Sequence, residues 1–176
     1  MRILQVAAYY APAFVYGGPP RSIHALCRAL VEQDVDVQVF TTDANGAARL
    51  PRSVTAVDEY DGVRVRYFAR SWPASPIGSR VLIAALRREI GAYDVVHVHG
   101  LWNRVAWAAA RAAAGAGVPY VVSPRGMLET AARAHHAWRK RAAWALADRQ
   151  LVTRASLLHA TSMAERMYSG IPRLRA

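Results

Sequence analysis

The sequence is poor in cysteine, in acidic residues and in long apolar runs. Cys27 stands alone among 176 residues, which excludes a disulfide framework and a thiolate zinc site within the chain. No apolar run reaches the ~20 residues that span a bilayer. No G-x-G-x-x-G and no Walker A sequence follows a strand-like segment, which argues against a nicotinamide-binding or ATP-cleaving domain. Twelve Asp and Glu face 23 Lys and Arg, leaving a formal net charge of +11 and a pI near 10.8. A field of that sign suits nucleic acid, an anionic membrane surface or a phosphorylated ligand. What is plentiful is apolar: 53% hydrophobic against 20% charged residues excludes a disordered chain, and the length fits one domain with a core.

The opening needs care. Arg2, the run Ile3–Ala8 and Ala11-Pro12-Ala13 imitate a short signal peptide. Gln5 interrupts the run, however, and Tyr9, Tyr10 and Pro12 sit where a cleavage region would be small and plain. We read Ile3–Ala7 as a strand buried on both faces, and expect a cytoplasmic chain in which Cys27 stays reduced.

Periodicity organises the rest. Ile23, Leu26, Cys27, Leu30 and Val31 fall on one helix face, so Cys27 is expected in the core, and Pro19-Pro20 suit the first turn. Val35 to Phe40 reads as a second strand ending at Thr41-Thr42-Asp43, followed by a polar loop from Ala44 to about Ser53. Asp61-Gly62 between Val54–Tyr60 and Val63–Phe68 predicts a hairpin, with Arg64 and Arg66 on a solvated face. Val81, Leu82, Ala85, Leu86 and Ile90 predict a helix stripe. Strands are expected at Asp94–His99, Tyr120–Ser123 and Ser156–Ala160. Arg104–Ala114 reads as a helix closed by Gly115 and Gly117, Arg133 to about Arg154 as a mostly helical basic stretch, and Ser162 as the cap of a helix through Tyr168. This alternation predicts an α/β, Rossmann-like three-layer domain with a mostly parallel twisted sheet and a β-hairpin.

In such a sheet ligands bind at the carboxyl ends of the strands. Those ends carry Gly17-Gly18 before a helix, His99-Gly100, Ser123-Pro124-Arg125-Gly126, and Thr161-Ser162 with Glu165 beyond. Gly17 and Gly18 could let a phosphate approach helix N–H groups, against the plainer reading of a flexible turn. His97 reads as a packed, hydrogen-bonded histidine. His99, at the strand's mouth, could donate to a substrate or transfer a proton near neutral pH. Asp94 lies at the wrong end to complete a metal site with them. Arg125 could clamp a carboxylate or phosphate. Arg133, His135, His136, Arg139, Lys140 and Arg141, interleaved with Trp138 and Trp144, suit an anionic membrane surface, and a merely solvated face is the alternative.

The segments MRILQVAAYYAP, YGGPPRSIHALCRALVEQ, YDVVHVHGLW, PYVVSPRGML and LLHATSMAE, in this order, resemble the N-terminal half of family 4 (group 1) glycosyltransferases of the GT-B fold, especially bacterial enzymes of lipopolysaccharide or exopolysaccharide synthesis. The resemblance implies two Rossmann-like domains facing a cleft, with residues 1–170 as the acceptor-side domain, 171–176 opening the linker, and a C-terminal nucleotide-sugar domain outside this sequence. It implies a retaining hexosyltransferase needing no cofactor or metal, with the nucleotide sugar as substrate, a lipid-linked or polysaccharide acceptor, and a peripheral place at the inner membrane face. By the same resemblance Gly17 and Gly18 meet the donor's diphosphate, His99 contacts the transferred sugar, and Arg125 and Gly126 lie in the acceptor-side loop. Glu165 matches an acidic residue before the linker whose role the resemblance leaves open. The family's glutamate pair eight residues apart has no counterpart among Glu32, Glu59, Glu89, Glu129 and Glu165, so catalysis is expected to need the other half. Two other classes stand beside this reading: a nucleic-acid-binding α/β domain driven by the same charge, and a non-catalytic sugar- or phosphate-binding module.

Overall fold

The computed structural model describes residues 1–51, 57–71, 77–127, 144–163 and 165. Its elements follow in chain order. Strand β1 (Arg2–Ala7) leads through a short 3-10 turn to helix α1 (Gly18–Val31). Strand β2 (Asp36–Thr42) is followed by a small antiparallel pair, β3 (Ala44–Asn45) and β4 (Ala48–Arg49). Next come β5 (Asp58–Tyr60), β6 (Val63–Phe68), α2 (Arg80–Glu89), β7 (Val95–His99), α3 (Arg104–Ala116) and β8 (Tyr120–Ser123). A five-residue π-helical turn (Trp144–Asp148) then enters α4 (Arg149–Thr153), and β9 (Leu157–Leu158) closes the sheet.

The main sheet runs β5-β6-β2-β1-β7-β8-β9. All its pairings are parallel except β5 with β6. From β1 the chain builds outward through β2 to β6, then returns to build the other way from β7. The order reverses between β1 and β7, which defines a doubly wound sheet and its switch point.

Strand alternation supplies a core on each face. Leu4, Val6, Phe40, Val96, Val98 and Val122 pack against Leu82 and Leu86 of α2 and Val105 and Ala109 of α3. On the other face Ala7, Val37, Val39 and Val65 meet Ile23 and Cys27 of α1. Cys27 is buried as expected, and burial pushes its thiol up to about 12, so it is inert filler. Asp61 and Gly62 both adopt positive φ, 49° and 77°, the turn that matches the twist of a two-residue hairpin.

Four expectations need adjusting. Val81 does not join the α2 stripe; it is half exposed, because the buried face turns on Leu82, Ala85 and Leu86. The loop after Asp43 carries the β3–β4 pair. The α3 helix runs through Gly115 to Ala116, and Gly117 alone caps it in the left-handed conformation. The last strand is only Leu157–Leu158. Part of the first hairpin arm, the basic stretch before Trp144, the helix expected beyond Glu165 and the linker at 171–176 lie outside the described residues.

Candidate functional site

At the switch point β1 and β7 end level, Ala7 in register with His99. Beyond these ends opens a shallow cleft of about 10 Å3. Ala8, Tyr9, Pro19, His99, Gly100 and Arg125 are among its walls, and no carboxylate of the described residues is. Gly18 immediately precedes Pro19, so the start of α1, the end of β7 and the loop after β8 meet here.

His99 lies at the mouth of its strand, but only 3% exposed. Its Nε2 is 2.7 Å from Gln5 Oε1, and its Nδ1 accepts from Arg125 Nε at 3.2 Å. An arginine only donates, so Nδ1 is the acceptor and the proton resides on Nε2. Burial drives its pKa well below the usual histidine value, with His97 and Arg125 adding repulsion. The ring is therefore neutral at pH 7, and both nitrogens are occupied by protein groups.

Arg125 has a left-handed backbone, φ 54°, uncommon outside glycine. That conformation turns its side chain back over β7, where Nη1 donates to Ser22 Oγ of α1 at 2.7 Å. Burial lowers its pKa, offset in part by Cys27, Glu165 and Tyr9. Among the described residues it has no ion-pair partner, so this partly buried cation faces the cleft with only the more distant Glu165 carboxylate to offset it.

Gly126 and Glu165 meet directly. The Gly126 N–H donates to Glu165 Oε1 at 2.6 Å, while Oε2 accepts from Thr161 N–H at 2.7 Å and from its hydroxyl at 3.0 Å. Ser162 Oγ accepts from the Glu165 N–H at 3.0 Å, the capping role expected of it. Glu165 is 1% exposed, and both its oxygens are spent tying the loop after β8 to the segment after β9.

Gly17 takes φ 80° and ψ −131°, and its N–H turns back to Phe14 O at 3.0 Å. Gly18 has open space where a side chain would stand. Pro19 and Pro20 carry no N–H, which leaves Gly18 as the first-turn donor nearest the cleft.

His97 is the packed histidine expected. Its Nε2 lies 2.8 Å from Ser123 Oγ, which also meets His159 Nδ1 at 2.9 Å, and burial pushes its pKa down to about 3. Among the described residues no three His, Cys, Asp or Glu gather as metal ligands. Sequence reasoning missed Gln5 and Ser22. Gln5 was visible only as a polar break in a buried strand, and Ser22 carries no local signal.

A doubly wound sheet with its cleft at the switch point is the architecture of a GT-B half-domain. The family model described as a glycosyl transferase 4-like domain matches residues 17–175, and the chain belongs to that family. No curated protein sequence matches it. Among solved structures it is similar to HepE from Anabaena in complex with UDP and glucose (19% identity, TM-score 0.58, 96% of this chain and 40% of that one). It is also similar to S. aureus MnaA with UDP (15% identity, TM-score 0.60, 95% and 40%). A third likeness is the UDP-GlcNAc 2-epimerase from Methanocaldococcus jannaschii (15% identity, TM-score 0.54, 96% and 41%). These likenesses concern the fold, and the chain spans about 40% of the length of each.

Proposed function

We propose that this chain is the acceptor-side half of a glycosyltransferase that moves a hexose, with retention, from a nucleotide sugar to a lipid-linked or polysaccharide acceptor at the inner membrane face. The observation that carries the reading is the Arg125 guanidinium, held by two hydrogen bonds at the cleft of the switch point and without an ion-pair partner among the described residues. A diphosphate supplies the missing counter-charge. Arg125 neutralises the charge that grows on the leaving diphosphate, and the Gly18 N–H approaches it from the start of α1. His99, neutral and hydrogen-bonded, offers the transferred sugar a fixed wall and holds Arg125 in place. Support for a uridine nucleotide comes from HepE and MnaA, whose structures hold UDP in the same fold. The charge of +11 supports attraction to an anionic leaflet, and no helix among the described residues is long and apolar enough to cross a membrane.

One experiment tests enzyme and membrane together. The full-length protein is mixed with labelled nucleotide sugars and anionic vesicles carrying membrane lipid extract. Labelled glycolipid is expected to form, with protein sedimenting with the vesicles at low salt and releasing at high salt. No transfer from any nucleotide sugar, or equal sedimentation with neutral vesicles, contradicts the respective part.

A further inference from the structure

Gln5 is the oddest residue in the central strand. It is fully buried, it lies between apolar neighbours, and its amide nitrogen has no hydrogen-bond partner among the described residues. A leucine or methionine would fill the position without introducing a buried amide nitrogen, so packing alone does not explain the glutamine.

Hydrogen-bond polarity does. Arg125 Nε can only donate, which makes His99 Nδ1 an acceptor. The imidazole is neutral, so Nε2 bears the proton and must find an acceptor in the interior. Gln5 Oε1, at 2.7 Å, is that acceptor. Turning the amide over would put its nitrogen, in place of Oε1, against His99 Nε2. It would either set two donors against each other or, with the imidazole proton moved to Nδ1, oppose that proton to Arg125 Nε–H. The unpaired amide nitrogen is thus the consequence of fixing one tautomer. Ser22 Oγ completes the clamp on Nη1, and the Glu165 bond to the Gly126 N–H pins the backbone beside it.

We propose that Gln5 is a positioning residue: through the His99 tautomer it aims the Arg125 guanidinium into the cleft for a phosphate or diphosphate group. This rests on the reading of Arg125 as an anion site. Other donor geometries on β1 would leave His99 free to rotate or retautomerise, and Arg125 would lose the support of its Nε.

The test uses inorganic pyrophosphate as probe, with the full chain as wild type, Gln5→Leu, Gln5→Met and Arg125→Met. Three quantities are measured: affinity, melting temperature and the imidazole nitrogen shifts of His99, which report the protonated nitrogen. The expected result for the Gln5 variants is a melting temperature near that of wild type, since losing the unpaired amide nitrogen offsets leaving His99 Nε2–H without its acceptor. Affinity falls about tenfold, the equivalent of one charge-assisted hydrogen bond, and the His99 tautomer is no longer confined to Nε2–H. Gln5→Met serves where Gln5→Leu fails to fold. Affinity retained in a folded Gln5 variant, or lost with His99 nitrogen shifts unchanged, overturns the proposal. No binding by wild type, or full binding by Arg125→Met, defeats the anion-site reading instead.

Discussion

His97 and His99 are imidazoles held neutral inside a strongly basic protein, and that has a cost in acid. Burial first, then His159 and Arg125, depress the folded pKa of His97 to about 3, against about 6.5 in the unfolded chain. Between those values the unfolded state binds a proton that the folded state refuses. Stability is therefore constant above about pH 6.5 and falls as pH drops toward 3. The slope from His97 is about 1.4 kcal/mol per pH unit. His99 is shifted in the same direction and steepens the fall. A melting-temperature series from pH 7.5 to 4.5 should decline through the lower half, and His97→Gln, which keeps a partner for Ser123, should flatten it. An equally steep decline in that variant would assign acid sensitivity elsewhere. At this scale the sequence was partly legible. The parity of His97 and His99 and the apolar stripe around Cys27 are local facts. The partners of Arg125 are not, since His99 lies 26 positions away and Ser22 103 positions away.

The entry to α1 separates two glycines that look alike in sequence. Gly17 occupies a backbone region closed to side chains, and Gly18 is ordinary helix with open space around it. Gly17→Ala should cost about 1–3 kcal/mol of stability. Gly18→Ala should leave the melting temperature unchanged and weaken UDP binding, because the added methyl stands where a phosphate would approach. Unchanged UDP binding in Gly18→Ala would remove that residue from the site. Helices and the hairpin were legible wherever a period or a turn pair dominated, as in α1 and at Asp61-Gly62. They were less so where burial depends on the neighbouring element. Val81 has the right spacing for a stripe, yet α2 rolls toward Leu82 and leaves it in solvent. The β3–β4 pair, two residues a side, is too short to carry any period.

Alternation of strands and helices announced a doubly wound molecule, but not which strands are neighbours. The reversal between β1 and β7 appears only in the pairing, and it decides where the cleft lies. It also explains why the glycine turn, the β7 end and the Arg125 loop converge although spread over more than half the chain. The charge of +11 leads to a different surface question, because Arg87, Arg104 and Arg111 line a second groove beside α3. An anion could be drawn there by charge alone. The cleft at the switch point differs in offering a guanidinium fixed by two hydrogen bonds, with no ion-pair partner among the described residues. The direct measurement is UDP titration of wild type and Arg125→Met, followed by backbone amide shifts. Shifts centred on Gly18, Gly100, Arg125 and Gly126, with affinity about tenfold lower in the folded Arg125→Met variant, are the predicted result. Equal affinity in both proteins, or shifts centred on Arg104 and Arg111, would contradict the account.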